Sequence, residues 1–152
     1  MPQTSLPIYQ VDAFTNHLFA GNPAAVVPLD CWLPDTVMQQ IAMENNLSET
    51  AFFVKVDQGD ADYHIRWFTP TVEVPLCGHA TLASAYVLFH QLGVTGDEIR
   101  LQSKSGMLTA RRDGTAIVLN FPVQPLVDDA IVQNIAKALS PDGAVACFRV
   151  AS

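Results

Sequence analysis

An α+β fold in which strands wrap a buried helix is what this sequence predicts, and three observations carry it. Segment 79–92 is helical in pattern, with Ala80, Leu82, Ala83, Ala85, Tyr86, Val87, Leu88, Phe89 and Leu92 covering nearly its whole circumference. A helix apolar on all sides is buried on all sides unless it lies in a membrane. Around it lie seven short strand patterns, enough to do the burying, and one further helix of ordinary amphipathic kind.

In chain order, strands are expected at 8–14 and 24–29, followed by the amphipathic helix at 34–45. Val37, Met38, Ile41 and Ala42 form its apolar stripe. Pro34 suits a first helical turn, Asp35 suits the positive end of the dipole, and Asn45-Asn46 can close the helix in the left-handed conformation. Strands follow at 50–56 and 62–68, with Asp57-Gln-Gly-Asp as the turn between them. In the second of these, His64 and Arg66 share one face while Ile65 and Trp67 share the other. The buried helix ends at Gly93. Strands at 98–102, 107–111 and 116–121 complete the set, and Asp113-Gly114 marks a hairpin between the last two. Residues 1–122 read as one domain. Residues 123–152 read as a Pro-punctuated linker and the start of an incomplete second domain, with a helix at 128–139 and a strand at 144–150.

Composition narrows the function. The 152 residues are 49% hydrophobic and carry a formal charge of −7, enough chain for one packed domain and the wrong sign for nucleic acid. The longest apolar run is about half the ~20 residues of a membrane span, and the N-terminus lacks a basic start followed by an apolar stretch. A soluble, cytoplasmic protein without membrane or nucleic-acid partners is expected. Three cysteines, Cys31, Cys77 and Cys147, show no CxxC pair and no Cys/His spacing, so neither a disulfide framework nor a metal site is indicated.

Three segments can carry chemistry. Leu76-Cys77-Gly78-His79-Ala80-Thr81 sets a thiol and an imidazole at the start of the buried helix, where free N–H groups attract anions and the dipole favours thiolate. Gly78 would let a ligand approach the backbone. A structural cysteine beside a tight turn fits the same residues equally well. Asn45-Asn46-Leu47-Ser48-Glu49-Thr50 places Glu49 at the lip of an apolar strand, where desolvation moves a carboxyl toward general acid–base use. A solvated loop glutamate is the plainer alternative. Gly21-Asn22-Pro23 is a turn signal in which Asn22 could hold a polar head group. His64 reads as a surface histidine, His17 and His90 have no visible partner, and no GxSxG, GxGxxG or GxxxxGK[ST] motif is present.

Taken together, VDAFT…FAGNPAAVV, MQQIAMENNLSETAFF, IRWFTPTVEVPLCGHATLASA and KSGMLTAR resemble, in order and spacing, the N-terminal half of the PhzF-like (phenazine biosynthesis) isomerases. More remotely they are similar to diaminopimelate epimerase and the proline racemases. The resemblance implies a diaminopimelate epimerase-like domain, a curved mixed sheet around a central helix. It also implies a substrate cleft shared with a second, similar domain. It assigns Glu49 as the proton-shuttling acid and His79 as the site histidine, with Cys77 where the epimerases carry a catalytic thiol. Substrate contacts fall to Asn22, Ser48, Gly78 and Ala80. The implied activity is cofactor-independent isomerisation of a small carboxylated metabolite, with no metal, nucleotide or flavin. Family members are about twice as long, and two copies of this chain pairing as a homodimer could imitate the missing half. The competing expectation is a truncated, catalytically inactive half-protein that binds a small acid or associates with another chain.

Overall fold

The computed structural model describes residues 5–122, which form eight strands and two helices. The linker, helix and strand expected at 123–152 lie outside the described residues. The strands are β1 (Tyr9–Ala13), β2 (Asn22–Leu29), β3 (Thr50–Lys55), β4 (Tyr63–Phe68), β5 (Glu73–Val74), β6 (Glu98–Ser103), β7 (Gly106–Asp113) and β8 (Ala116–Asn120). The helices are α1 (Asp35–Asn45) and α2 (Gly78–Tyr86).

All the strands join one mixed sheet in the order β1-β2-β3-β4-β6-β7-β8, with β5 paired to β4. Two pairs are parallel, β2 with β3 and β4 with β6, and the rest are antiparallel. Parallel neighbours need a crossover. Here α1 spans the first pair and α2 the second. The helix α2 touches β1, β2, β3 and also β8, so the first and last strands both reach it. The sheet therefore curls around α2, as the sequence predicts.

Alternation along the strands builds this core. Ala24 and Val26, Ala51 and Phe53, Ile65 and Trp67, Ile99 and Leu101, and Leu108 and Ala110 all point to the α2 side. On the opposite face Val27, Leu29, Phe52 and Phe68 pack against Met38 and Ala42 of α1. Strands β2 and β3 are thus covered on both sides, which is why their sequences run nearly continuously apolar.

Two prolines sit in β2 without breaking it. Pro23 pairs with Asp12 of β1 before the pairing with β3 begins, and Pro28 pairs with Phe53 of β3 after the pairing with β1 has ended. Each lies where the strand has one neighbour, so no ladder needs the missing N–H on both sides.

Several expectations are corrected. The helix expected at 79–92 is α-helical only to Tyr86; Val87–Gln91 form a π-helical turn. Nor is it buried all round. Leu82 is half-buried, Tyr86 is 41% exposed and His90 is exposed, so one edge faces a groove lined also by Phe14, Leu18, Phe19 and Ile117. Apolar composition hid this edge, because Leu and Tyr read as core. Pro34 sits just outside α1, extended at φ −54° and ψ 140°, and its carbonyl accepts the N–H groups of Val37 and Met38. The short strand β5 was not expected. The closing signals hold: Asn46 is left-handed at φ 51°, Gly93 has φ 65°, and Gly114 at φ 61° turns the β7–β8 hairpin. No helix among the described residues is long and apolar enough to cross a membrane.

Candidate active site

The site is assembled where α1 leaves the sheet's outer face and α2 enters its interior. Past the Asn46 cap, the chain turns through Leu47 and Ser48 to Glu49 at the start of β3. Asn45 Nδ2 donates to Thr50 Oγ1 at 3.2 Å, and the Ala25 N–H donates to the Glu49 carbonyl at 3.3 Å. The Glu49 backbone is therefore held by β2, and its side chain is turned toward α2.

At the entrance of α2, Cys77 is the extended residue before the first turn and gives no side-chain cap. Its carbonyl accepts both the N–H and the hydroxyl of Thr81. The N–H groups of Gly78, His79 and Ala80 have no acceptor within the helix, as at any helix start, and they carry its positive end. A Cβ at Gly78 would only touch the Phe121 ring at 3.8 Å. Glycine there leaves backbone open for a ligand and meets no demand of packing.

The imidazole of His79 joins the two segments. Its Nε2 lies 3.4 Å from Glu49 Oε2 and 3.3 Å from Ser48 Oγ, while its Nδ1 lies 3.4 Å from Cys77 Sγ. His79 and Cys77 are buried, and the Glu49 side chain keeps 20% of its exposure. An imidazole between a carboxyl and a thiol can take a proton on one nitrogen and release one from the other. One donor atom each from Glu49, Cys77 and His79 lies within 4.8 Å of the other two. The spacing of the cysteines gives no sign of this cluster, because its members come from two distant loops.

Of the two readings of Cys77, the environment favours the buried thiol over the thiolate. Burial pushes the thiol up to about 11, and the Glu49 charge adds to the rise against the N–H groups of Ala80 and His79. Desolvation outweighs the helix dipole here. Among the site residues from sequence, Ser48, Glu49, Cys77 and His79 are in contact, with Gly78 and Ala80 supplying backbone beside them. Asn22 opens β2 at the same end of the sheet, three residues before Ala25. Its side chain is exposed and makes no hydrogen bond among the described residues.

Sequence reading missed two supports. At Gly21 a Cβ would stand 2.4 Å from the Ala13 carbonyl and 2.6 Å from Thr15, so the residue before Asn22 has to be glycine. Glu73 of β5 is gripped by Arg66 through two 2.8 Å bonds and by Lys104 at 2.6 Å, while Arg66 also reaches Asp35 of α1 at 2.9 Å. Arg66 and Lys104 hold the Glu73 carboxyl down to about 2. This network pins the segment leading into α2, as does the bond from Ser105 Oγ to the Pro75 carbonyl. Charged residues alternating with core residues in β4 were the only signal for it.

The profile of one protein family, described as phenazine biosynthesis-like protein, matches residues 11–142. An uncharacterized isomerase of Pseudomonas aeruginosa is 56% identical over 134 residues, covering 88% of this chain and 51% of that protein. Among solved structures, a phenazine biosynthesis protein of the PhzF family from Enterococcus faecalis superposes with a TM-score of 0.74 at 47% identity. It covers 85% of this chain and 50% of that one. A hydroxyproline epimerase from Agrobacterium vitis, with a TM-score of 0.52 at 10% identity over 75% of this chain and 40% of that one, shares the fold alone. The chain spans about half the length of the curated relatives it matches.

Proposed function

The chain belongs to the phenazine biosynthesis-like protein family, and from that premise we propose that it is a PhzF-like isomerase domain that moves a proton on a small carboxylated metabolite without a cofactor. The observation that carries this reading is the Glu49 carboxyl set 3.4 Å from the buried His79 imidazole, beside the N–H groups that open α2. A substrate carboxylate suits those N–H groups, which favour negative charge without reorganising. Glu49 then removes a proton from a carbon next to an unsaturated or carbonyl group and returns it to another. His79 holds the Glu49 carboxyl in place, with Ser48 on the same ring nitrogen, and Asn22 offers a donor and an acceptor to the rest of the substrate.

Glu49 ranks above Cys77 as the base. A buried thiol raised to about 11 gives up its proton reluctantly at neutral pH, while the glutamate side chain keeps 20% of its exposure. The test is deuterium incorporation from solvent into a panel of small unsaturated carboxylic acids, followed by NMR on the purified chain. Glu49→Gln is expected to lower exchange by ~10²–10⁴-fold, and Cys77→Ala to leave most of it. Full exchange in Glu49→Gln, or loss in Cys77→Ala as deep as in Glu49→Gln, removes Glu49 as the base. No exchange by the unmodified chain on any acid of the panel overturns the activity for this chain.

A further inference from the structure

The groups at the mouth of α2 form a second kind of site. We propose that Glu49, Cys77 and His79 bind a thiophilic divalent cation of the zinc class, which seats itself among the proton-transfer groups and silences them. The binding stands on geometry alone; the silencing rests on the proposed isomerase reading.

Three observations support the binding. Cys77 Sγ and His79 Nδ1 lie 3.4 Å apart. Two ligands at ~2.3 Å and ~2.0–2.1 Å on a tetrahedral zinc stand about 3.5 Å apart, so these atoms already span one edge of the polyhedron. A Glu49 oxygen lies within 4.8 Å of Cys77 Sγ and of a His79 ring nitrogen, and to share a cation with Nδ1 it has to rotate away from Nε2, where it stands 3.4 Å off. Cys77 and His79 are buried and fixed on one short stretch of backbone, so little side-chain entropy is lost on binding.

The donor set selects the cation. One sulfur, one imidazole nitrogen and one carboxylate suit zinc, cobalt or cadmium, and are poor for magnesium or calcium, which want oxygen alone. The positive end of α2 opposes any cation, but a thiolate and a carboxylate together supply two negative charges to offset it. Three protein donors leave the fourth position open to water or to a substrate oxygen.

The test is a titration of the full chain with cobalt(II) chloride, read by the near-ultraviolet thiolate-to-cobalt charge-transfer band. One equivalent of cobalt should develop the band, zinc should bleach it and magnesium should leave it unchanged. Cys77→Ser should abolish it, while a Cys31→Ser/Cys147→Ser double variant should keep it. Glu49→Gln, which retains the thiol and imidazole, should keep the band and weaken cobalt binding by ~10-fold or more. Absence of the band in the unmodified chain overturns the site, as does its dependence on Cys31 or Cys147. Unchanged affinity in Glu49→Gln overturns the three-donor assignment even if Cys77→Ser proves unfolded by circular dichroism. Deuterium exchange that persists at saturating zinc overturns the silencing while the cobalt band still reports the binding.

Discussion

Both helices are crossovers between parallel strands, yet α1 lies on the sheet and α2 lies within its curl. In α1 only Met38 and Ala42 are buried, and Val37 and Met43 look outward. In α2 six of the nine residues are buried: His79, Ala80, Thr81, Ala83, Ser84 and Ala85. The enclosed helix is made of small residues, and the strands around it supply the bulk through Phe53, Ile65, Trp67 and Leu108. The outer helix reverses this, presenting Met38 to Phe52 and Phe68. A helix can be enclosed by a sheet when its own side chains are short enough for strands to approach from several sides.

Substitutions should separate the two helices sharply. Ala83→Asp puts a carboxylate at a position only 1% exposed, and is expected to cost several kcal/mol, ~3–5. Urea denaturation measures it, and a stable Ala83→Asp protein would mean that α2 is not enclosed. Leu88→Ala, in the π-helical turn, should cost ~2–5 kcal/mol by opening a cavity among fixed strands. Reactivity provides a third contrast. Exposed Cys31 should react with iodoacetamide at neutral pH at least ~100-fold faster than Cys77, whose thiol burial has raised to about 11. Peptide mass mapping over time reads the two rates.

The anchor between the helices is sensitive to acid. Glu73 is lowered from 4.5 to about 2 in the folded chain, first by its hydrogen bonds to Arg66. A depressed folded value stabilises the fold above the unfolded value, and that contribution is lost as the pH falls through the folded one. Stability should therefore drop between pH 4.5 and about 2, by roughly 1–3 kcal/mol from this residue. In Glu73→Gln the drop over that window should shrink, as thermal unfolding at pH 7 and pH 3 would show. The smallest effect belongs to α1: Val37→Asp, at an exposed position in its first turn, should stay within ~0.5 kcal/mol. A larger loss would place α1 in the core alongside α2.

Seven of the eight strands and both helices were legible because their signals are local. Alternation in β4 and β6, the Asp113-Gly114 hairpin and the Asn46 cap each depend on a few neighbouring residues. What composition could not convey was direction. Leu82 and Tyr86 look like core residues, and only the curl of the sheet leaves their edge uncovered. Glu49 and His79 could each be suspected from their loops, but their 3.4 Å approach exists only once β2 holds Glu49 and β5 leads into α2. The thiol at Cys77 shows the same limit. The helix start is visible in sequence and argues for thiolate, while the burial that outweighs it comes from packing. Gly21 resembles any turn glycine until the Ala13 carbonyl is seen against it.

The π-helical turn at the far end of α2 has an evolutionary consequence. There the Leu92 N–H reaches back five residues to the Val87 carbonyl at 2.9 Å, the geometry of an α-helix that has absorbed one inserted residue. Because the turn lies at the end of α2 opposite the acid–base cluster, a residue gained or lost there leaves Cys77 to Ala80 in register with Glu49, and its cost falls on the packing of Val87, Leu88 and Phe89.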